Sequence, residues 1–588
     1  MKIMFYSPHA AIWQHAFPEA LVAESLMQSG NEIVYIGCGR RFSRFCVAMS
    51  AYGLKYDSPE SQKKKVCDKC EKNKIFLRRE FGLGGTDIAD EISGADLCHA
   101  EDLLKKVTPE NYLSFEFSGI QVGKLALYEF LLSHKKNSLE IGNDKWPEYL
   151  DALRNSLLSV MAATRLLERE NPDRLIAYNT FYSVNHACCM VAEKLYIPHY
   201  LLHAGNNVAH RLETLTLTKG YSYNFITRHP EWVRYREIPC SGEQIGKVTD
   251  HLLALFAAKS AFVYSSPKSG KDIDLKKKFG VREDQKVLVA TKSSHDERFA
   301  AVAIGVMPHD NDLVFPTQID WVGALTEFVS RRPDLFLIIR VHPREFPNKR
   351  ESVLSEYASK LKDLLVDLPD NTAVNWPSDQ ISLYDIAGIA DLFLNSRSTT
   401  GMEMSLLGLP VVLYSPNQLY SYPSDLNYSA NSREEYFVQI DRALIRGWDI
   451  EFSRKAFRWG GFQYCRATLD ISESFRGEKS LGTSRVSLFI YKSIRKLFPI
   501  ILQKLDCWRR AKRLKSGKII NDYLASGKDS IVELERGNFE VVTLEQETSA
   551  LKREFERIIL SLYPSGGSGE VSSLYSRMLT FINSVEGM

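Results

Sequence analysis

The strongest fold signal in this chain is the stretch Asp391-Leu-Phe-Leu-Asn395-Ser-Arg-Ser-Thr-Thr-Gly-Met-Glu403. Its first five residues are mostly apolar and predict a short buried strand, and residues 399–407 predict a helix. The small, hydroxyl-rich turn 396–401 joins the two. A strand that enters a helix through such a turn offers free backbone N–H groups and the positive end of the helix dipole. The stretch therefore predicts an α/β fold with an anion site at this turn.

Hydroxyl side chains strengthen the prediction of a phosphate site, because they add hydrogen bonds to phosphate oxygens. The turn supplies the hydroxyls of Ser396, Ser398, Thr399 and Thr400. The alternative is that Thr399 or Thr400 caps the helix and that Glu403 completes a capping box. Capping alone leaves Gly401 unexplained, since glycine inside a first helical turn is costly unless a ligand approaches closely.

A second segment, Leu335 to Val341, is apolar apart from Arg340 and predicts another buried strand. Pro343 ends this strand because proline has no N–H for the ladder. His342 is thus expected at the carboxyl end of a parallel strand, where ligands bind in open α/β sheets. The alternative is a structural histidine that caps the strand end.

Lys292 follows a third predicted strand, 286–290, in the sequence Thr291-Lys-Ser-Ser-His-Asp-Glu297. Lys292 and its neighbouring hydroxyls could face the phosphates of a ligand at the same edge of the sheet. A solvated loop explains the same residues equally well.

The α/β rhythm occurs twice along the chain. Strand, helix and strand at 2–6, 17–27 and 32–36 form one βαβ unit, and 174–203 contains a second. Residues 265–271 are rich in Ser, Gly, Pro and Lys and predict a linker, after which the alternation restarts. We therefore expect two facing Rossmann-like domains, with a C-terminal helical tail. The expected boundaries are 1–264 for the N-terminal domain, 272–480 for the C-terminal domain and 481–588 for the tail.

The motifs of the C-terminal half resemble those of a known group of enzymes. Arg-x-His-Pro at 340–343, the Asp391 to Glu403 pattern and Gly-x-Pro-Val-Val at 408–412 look like bacterial surface-polysaccharide glycosyltransferases of the GT-B fold. The patterns are similar to capsule proteins of the Kdo-transferase type, to sialyltransferases with a His-Pro motif and to teichoic acid glycerophosphotransferases. The resemblance covers roughly residues 285–420 well and the N-terminal half only in general layout.

This resemblance implies a nucleotide-sugar donor and a sugar acceptor, either a growing surface (capsule or lipopolysaccharide) glycan or a lipid-linked one. It implies that the segment 340–343, with Arg340 and His342, binds the donor. His342, Ser398 and Thr399 would hold the donor phosphate, and Glu403 would contact the ribose or orient the turn. The N-terminal domain would bind the acceptor. One departure is Arg397, where the family usually has a small residue; it could contact a second phosphate or point outward. Competing hypotheses are a nucleotide-sugar epimerase or hydrolase of the same fold and a non-catalytic scaffold.

An inverting transfer needs a base within hydrogen-bond reach of the acceptor hydroxyl. The N-terminal candidates are His9 and His15 after the first strand, Glu19 in the following helix, and His203 at a later strand end. Each has a structural alternative, because polar residues at strand ends often satisfy loop backbone.

Four cysteines of the N-terminal half raise the question of a metal. Cys67 and Cys70 form a CxxC pair, and Cys38 and Cys46 precede it, which is enough for a tetrahedral structural zinc. Ordinary reduced thiols are the alternative, since the spacing of Cys38 and Cys46 matches no standard zinc knuckle. We expect no redox cofactor.

Composition restricts the remaining functions. The 588 residues are 44% hydrophobic and 25% charged, with a formal net charge of +3, so nothing global indicates nucleic-acid binding. The N-terminus has no signal-peptide pattern, and no apolar run reaches the roughly 18 residues of a spanning helix. We expect a cytoplasmic protein.

Residues 485–515 mix apolar and basic residues, which favours peripheral contact with the inner face of the cell membrane. The alternative is a helix packed on the N-terminal domain.

Overall fold

The computed structural model describes the chain except for residues 222–228, 259–264, 269–273, 349–350, 417–421, 475–498, 535–539, 564–572 and 587–588. The strands are β1 (Lys2–Tyr6), β2 (Glu32–Ile36), β3 (Arg174–Tyr178), β4 (His199–Ala204), β5 (Thr214–Lys219), β6 (Lys286–Thr291), β7 (Leu335–Arg340), β8 (Thr372–Asn375), β9 (Leu392–Asn395), β10 (Val411–Leu413) and β11 (Leu469–Asp470).

The helices follow in chain order. They are α1 (Trp13–Gln28), α2 (Val47–Ala51), α3 (Glu60–Phe81), α4 (Gly94–Leu104), α5 (Val122–Leu125), α6 (Leu127–Ser133), α7 (Trp146–Glu170), α8 (Ser183–Lys194), α9 (His229–Tyr235), α10 (Gly242–Phe256), α11 (Leu275–Phe279), α12 (Asp296–Ala303), α13 (Gln318–Ser330), α14 (Glu356–Leu364), α15 (Leu383–Ala387), α16 (Thr400–Leu406), α17 (Arg433–Arg446), α18 (Ile450–Gly461), α19 (Pro499–Arg509), α20 (Gly517–Ser526), α21 (Leu544–Leu562) and α22 (Ser573–Glu586).

The strands form two separate sheets. The N-terminal sheet has the order β11-β5-β4-β3-β1-β2, in which β4, β3, β1 and β2 are parallel. The C-terminal sheet has the order β10-β9-β6-β7-β8 and is parallel throughout. Helices connect the parallel strands, as crossovers must. The predicted α/β class with two parallel-centred sheets is confirmed.

Strand β5 was not predicted, although its sequence carries a signal. Residues 214–219 read Thr-Leu-Thr-Leu-Thr-Lys, a strict alternation of polar and apolar residues that is typical of a strand. Both of its leucines are buried. It pairs antiparallel with β4, so the N-terminal sheet is mixed.

The chain returns to the N-terminal sheet late in the sequence. Strand β11 pairs antiparallel with β5, although its residues lie within the range predicted for the C-terminal domain. Helix α20 then packs on α1, where Asn31 Nδ2 donates to Asn521 Oδ1 at 2.8 Å. Helix α21 packs on α10, and its Glu547 pairs with Arg458 of α18 at 2.8 Å. The described part of the tail therefore covers both earlier regions; the predicted boundaries stay a prediction.

The basic segment 485–515 is described only from residue 499. Helix α19 begins at Pro499, a residue that favours the first turn of a helix. Its Cys507 is buried, and Arg510 pairs with Glu24 at 2.9 Å. This part packs on the N-terminal domain, as the alternative interpretation predicted, and the rest of the segment lies outside the described residues. Within the described ranges, no helix is long and apolar enough to cross a membrane.

The two sheets are joined across a close contact. Helix α12, which follows β6 of the C-terminal sheet, packs against α6 of the N-terminal half. The buried Lys135, just after α6, donates to the carbonyls of Phe346 at 2.8 Å and Val353 at 2.9 Å. The carboxyl edge of the C-terminal sheet is therefore covered in part by N-terminal residues.

Candidate functional site

The predicted turn 396–401 is held firmly to the adjacent strand. Thr291 Oγ1, at the end of β6, donates to Asn395 Oδ1 at 2.8 Å, and Ser396 N donates to the Thr291 carbonyl at 2.9 Å. Asn395 Nδ2 donates to the Ser398 carbonyl at 2.8 Å. Because β6 and β9 are neighbours in the sheet, the ends of two predicted strands form one rigid edge.

Gly401 has a structural explanation that the sequence did not give. A β-carbon at this position would overlap the hydroxyl of Tyr422 and lie 2.7 Å from Asn395 Nδ2. That tyrosine also receives a hydrogen bond from Asn395 Nδ2 at 2.7 Å. The close approach of Tyr422 is therefore enough to require glycine here, and a ligand near Gly401 stays a prediction.

Glu403 orients the turn and does not complete a capping box. Its two oxygens accept hydrogen bonds from Thr399 Oγ1 and from Tyr384 Oη, both at 2.8 Å. Thr399 is the N-cap residue of α16 but makes no side-chain cap bond. Burial raises the pKa of the Glu403 carboxyl. Helix α16 is only seven residues long, so its dipole is a weaker attraction for an anion than the sequence indicated.

Several side chains at this edge carry buried polar atoms without a hydrogen-bond partner in the described part of the chain. They include Lys292 Nζ, Ser396 Oγ and Gln318 Nε2. The exposed fraction is 2% for Lys292, 0% for Ser396 and 4% for Gln318. Native proteins rarely leave such groups unsatisfied, so a cluster of them favours a ligand that accepts hydrogen bonds. Lys292 and Gln318 belong to one region, because Gln318 Oε1 accepts a bond from the backbone N–H of Ser293 at 3.2 Å.

The charge of Lys292 is poorly compensated. Burial lowers its pKa to about 8, against a partial opposing effect of Glu345. Its ammonium lies 4.5 Å from the centre of the Tyr357 ring, a cation–π contact. A cation with no hydrogen-bonded counter-ion in a dry site favours the binding of an anion.

A cavity of about 150 Å³ opens beside Tyr357. Its wall includes His295, Gln318, Tyr357, Arg397 and Tyr414. Arg397, the residue that departs from the family pattern, pairs with Asp310 and has a φ of 60°. This left-handed conformation is uncommon outside glycine and often marks functional sites. Tyr357 links the cavity to the cation, because it lines the cavity and its ring contacts the ammonium of Lys292.

Arg340 and His342 lie at the end of β7, and both make hydrogen bonds within the protein. Arg340 donates to the Asn375 side chain, to the Ile381 carbonyl at 3.2 Å and to Ser265 Oγ at 2.9 Å. These bonds tie β7 to neighbouring segments, so its role in binding the donor stays a prediction.

His342 caps the short turn Pro343–Glu345, because its Nδ1 accepts from Arg344 N at 3.3 Å. Burial, with Arg344 and Lys292 nearby, lowers its pKa to about 3, so the ring is neutral. The capping alternative therefore holds for Nδ1, and a contact of the ring with phosphate stays a prediction.

The N-terminal candidates gather around Tyr178, at the end of β3. The ring of His15 stacks on Tyr178 at 4.2 Å, and the ring of His203 lies 5.5 Å from it. His203 Nδ1 is 3.0 Å from the Ala204 carbonyl. Burial lowers the pKa of His203 to about 4 and that of His15 well below its usual value. Neutral imidazoles are available as proton acceptors, although none of these residues is tested as a base.

His9 and Glu19 are more deeply buried than their sequence positions indicated. Glu19 is hydrogen-bonded to the Ser7 hydroxyl, which also lies 2.7 Å from Tyr35 Oη. Burial raises the pKa of Glu19 to about 8 and lowers that of His9 to about 4. At neutral pH both side chains are therefore mainly uncharged.

The four cysteines proposed for zinc do come together. Cys38, Cys46, Cys67 and Cys70 line one small cavity with His9. Among the described residues, however, no three Cys, His, Asp or Glu side chains are arranged as metal ligands. Burial raises the pKa of all four thiols, which favours the protonated form over the thiolate that zinc requires. The zinc site stays a prediction.

Sequence reasoning missed Tyr422 and Tyr357. Each reaches the site from a separate part of the chain, and no local pattern identifies them. The sequence does carry a signal for Gln318. The run Pro316-Thr-Gln-Ile-Asp320 places it at the start of a helix whose capping box is present.

Comparisons with known proteins give similarity in structure only. No family model and no curated protein matches the sequence. S. aureus MnaA in complex with UDP is 12% identical, with 82% of this chain and 98% of that chain covered and a TM-score of 0.28.

Two further solved structures give similar values. The UDP-GlcNAc 2-epimerase of Neisseria meningitidis with UDP-GlcNAc is 13% identical, with coverages of 79% and 97% and a TM-score of 0.25. The spinosyn rhamnosyltransferase SpnG with thymidine diphosphate is 14% identical, with coverages of 78% and 95% and a TM-score of 0.22. Likeness at this level assigns neither a family nor an activity to the chain.

Proposed function

We propose that this protein is a glycosyltransferase that moves a sugar from a nucleotide-activated donor to a glycan or lipid-linked acceptor. The observation that carries the proposal is the buried ammonium of Lys292, which has no hydrogen-bond partner in the described part of the chain. The fully buried Ser396 Oγ, also without a partner there, follows the adjacent strand end. Phosphate oxygens accept hydrogen bonds and would satisfy groups of this kind.

The location supports a nucleotide donor. Ligands of open parallel sheets bind outside the carboxyl ends of the strands, and Lys292 and Ser396 follow the neighbouring strands β6 and β9 directly. The hydroxyl of Ser398 is partly accessible and bonds Thr400 Oγ1 at 2.8 Å. These two hydroxyls extend the row of donors along the turn. Glu403, with both oxygens engaged, then orients the turn rather than binding ribose.

Glycosyl transfer itself rests on the motif resemblance of residues 340–343 and 391–412, together with the two-sheet architecture. An acceptor base would come from the N-terminal sheet, where His15 and His203 are neutral and flank Tyr178. Phosphate binding alone is equally compatible with an epimerase or a hydrolase, so the assay must separate the reactions.

The test combines binding with product analysis on the full chain. A thermal-shift series with CMP, CDP, UDP and GDP identifies the base, because a bound ligand raises apparent stability with its occupancy. The matching nucleotide-sugars are then incubated with and without a bacterial lipid and glycan extract, and released nucleotide and sugar products are measured.

A transferase releases nucleotide only when the acceptor is present and labels the acceptor fraction. Release without acceptor would assign a hydrolase, and an isomerised donor without release would assign an epimerase. Failure of all four nucleotides to shift the melting temperature, with no turnover of any donor, would overturn the proposal.

A further inference from the structure

The segment from α19 to the start of α20 presents a row of basic side chains on the protein surface. The cationic members are Lys504, Arg509, Lys512, Arg513, Lys515 and Lys518, and all six are exposed. Trp508 lies among them and is 80% exposed. These seven residues are called the basic surface below. We propose that the basic surface docks this protein onto an anionic lipid bilayer.

The opposite side of the same segment fixes it to the N-terminal domain. Asp506 Oδ2 accepts a hydrogen bond from Trp13 Nε1 at 2.8 Å, and Gln28 Nε2 donates to the Lys512 carbonyl at 2.9 Å. Cys507 and Leu514 are buried in the main hydrophobic core. These two residues and the single acid of 504–518 are thus used inside the protein. The exposed side chains of 504–518 are almost purely cationic, and the N-terminal domain holds them in place.

The cations of the basic surface are not neutralised by the protein. In the described part of the chain, none of the six forms an ion pair, whereas Arg510, which points inward, pairs with Glu24. Fixed cations that lack counter-charges are attracted to anionic lipid headgroups when they lie near the bilayer. Six such groups within 15 residues are enough for measurable attraction of the protein to the bilayer, even when no part of the chain inserts into it.

Trp508 favours a lipid surface over other polyanions as the partner. A tryptophan that is mostly exposed to water leaves a large apolar area unburied, and the indole N–H still needs a polar partner. The interface of a bilayer supplies both environments, which is why tryptophan is enriched there. Nucleic acid would use the cations but gains less from one isolated indole on a convex helix.

The experiment measures flotation of the full chain with vesicles. Wild type is compared on phosphatidylcholine vesicles and on phosphatidylcholine with 30% phosphatidylglycerol. The variant R509Q/K512Q/R513Q removes three charges from the basic surface. The matched control K276Q/K277Q/K278Q removes three exposed lysines from α11, on the C-terminal domain. Trp508→Ala removes the indole alone.

We expect wild type to float with the anionic vesicles only. R509Q/K512Q/R513Q should reduce its partition coefficient by about tenfold or more, and W508A by a smaller factor. The control should bind as wild type does, and all variants should keep the wild-type melting temperature because every changed residue is exposed.

Three outcomes would overturn the proposal: equal flotation of wild type and R509Q/K512Q/R513Q, an equal loss in the α11 control, or no flotation of wild type. Tighter binding of wild type to a 20-mer duplex DNA than to the anionic vesicles would also overturn it, in favour of a nucleic-acid surface. None of these outcomes depends on whether the protein transfers sugar.

Discussion

The carboxyl edges of the two sheets carry functional candidates of opposite electrostatic character. At the C-terminal edge, Lys292 is buried with its ammonium unpartnered in the described part of the chain, beside hydroxyl and amide donors. At the N-terminal edge, burial makes His203 neutral and raises the pKa of Glu19 to about 8. Both edges exclude water. The C-terminal edge keeps a charged side chain, whereas burial leaves the side chains of the N-terminal edge uncharged.

This difference teaches what each edge can bind. Burial opposes charge everywhere, so a cation that remains in the interior marks a position where a negative ligand compensates it. Neutral imidazoles and a protonated carboxyl instead suit uncharged hydroxyl groups and proton transfer. The comparison therefore supports the proposal that phosphate binds at the C-terminal edge and the sugar acceptor at the N-terminal edge.

The largest expected effect comes from removing the buried cation. Lys292→Met should lower the affinity for the preferred nucleotide about 100-fold, because a charge-assisted hydrogen bond to phosphate is lost. The ligand-free variant should also melt higher than wild type, since an uncompensated buried charge disappears. Isothermal titration and thermal unfolding measure the two effects. Lys286→Met, at the exposed opposite end of β6, is the matched control.

The same lysine sets a pH dependence. Its folded pKa of about 8 lies below its ordinary value of 10.5, so the unfolded chain binds more protons between these values. Stability of the ligand-free protein should rise from pH 8 towards pH 10, and nucleotide affinity should fall over the same range. Unchanged affinity in K292M would show that the cation does not hold phosphate.

At the N-terminal edge, Glu19→Gln should have an effect that grows with pH. The folded pKa of about 8 exceeds the ordinary value of 4.5, so wild type loses stability as pH rises between these values. Glutamine has no such loss, and the variant should gain about 2 kcal/mol relative to wild type between pH 5.5 and 7.5. Denaturant unfolding at several pH values measures it. Glu32→Gln on the surface is the control, and a pH-independent difference in E19Q would contradict the burial argument.

The smallest expected effect concerns the rigidity of the C-terminal turn. Gly401→Ala should destabilise the protein by about 1–2 kcal/mol, because the new methyl group overlaps the Tyr422 hydroxyl. Tyr422→Phe removes that hydroxyl, so the double variant should lose less stability than the sum of the single variants. Chemical denaturation of the four proteins gives the coupling. Strict additivity would show that Tyr422 does not explain the glycine.

Much of the fold was predictable because its signals are local. Strands such as 335–340 and 392–395 are short apolar runs bounded by proline or by small polar residues, and the βαβ units follow from their spacing. The candidate residues at strand ends were predictable for the same reason, since parallel strands place those ends along one edge. The burial, protonation and hydrogen-bond partners of each side chain were not predictable, because they depend on residues that are distant in sequence.

The roles of Gly401 and Glu403 illustrate that limit. Their positions in a strand–turn–helix pattern were read correctly, but Tyr422 and Tyr384 decide what surrounds them. The tail gives a second case. Its composition indicated an amphipathic surface, and only packing on α1 showed which residues face outward.

Two parallel-centred sheets, and the strand ends that carry the candidate residues, could be predicted from the sequence, because hydrophobic periodicity and turn residues act over a few positions. Tertiary structure alone decided that Lys292 lies dry beside Tyr357, that Arg340 is taken up by Asn375 and Ser265, and that burial neutralises Glu19. The physical reason is that burial and hydrogen-bond partners are supplied by segments far apart in the chain, which come together only when the two sheets pack.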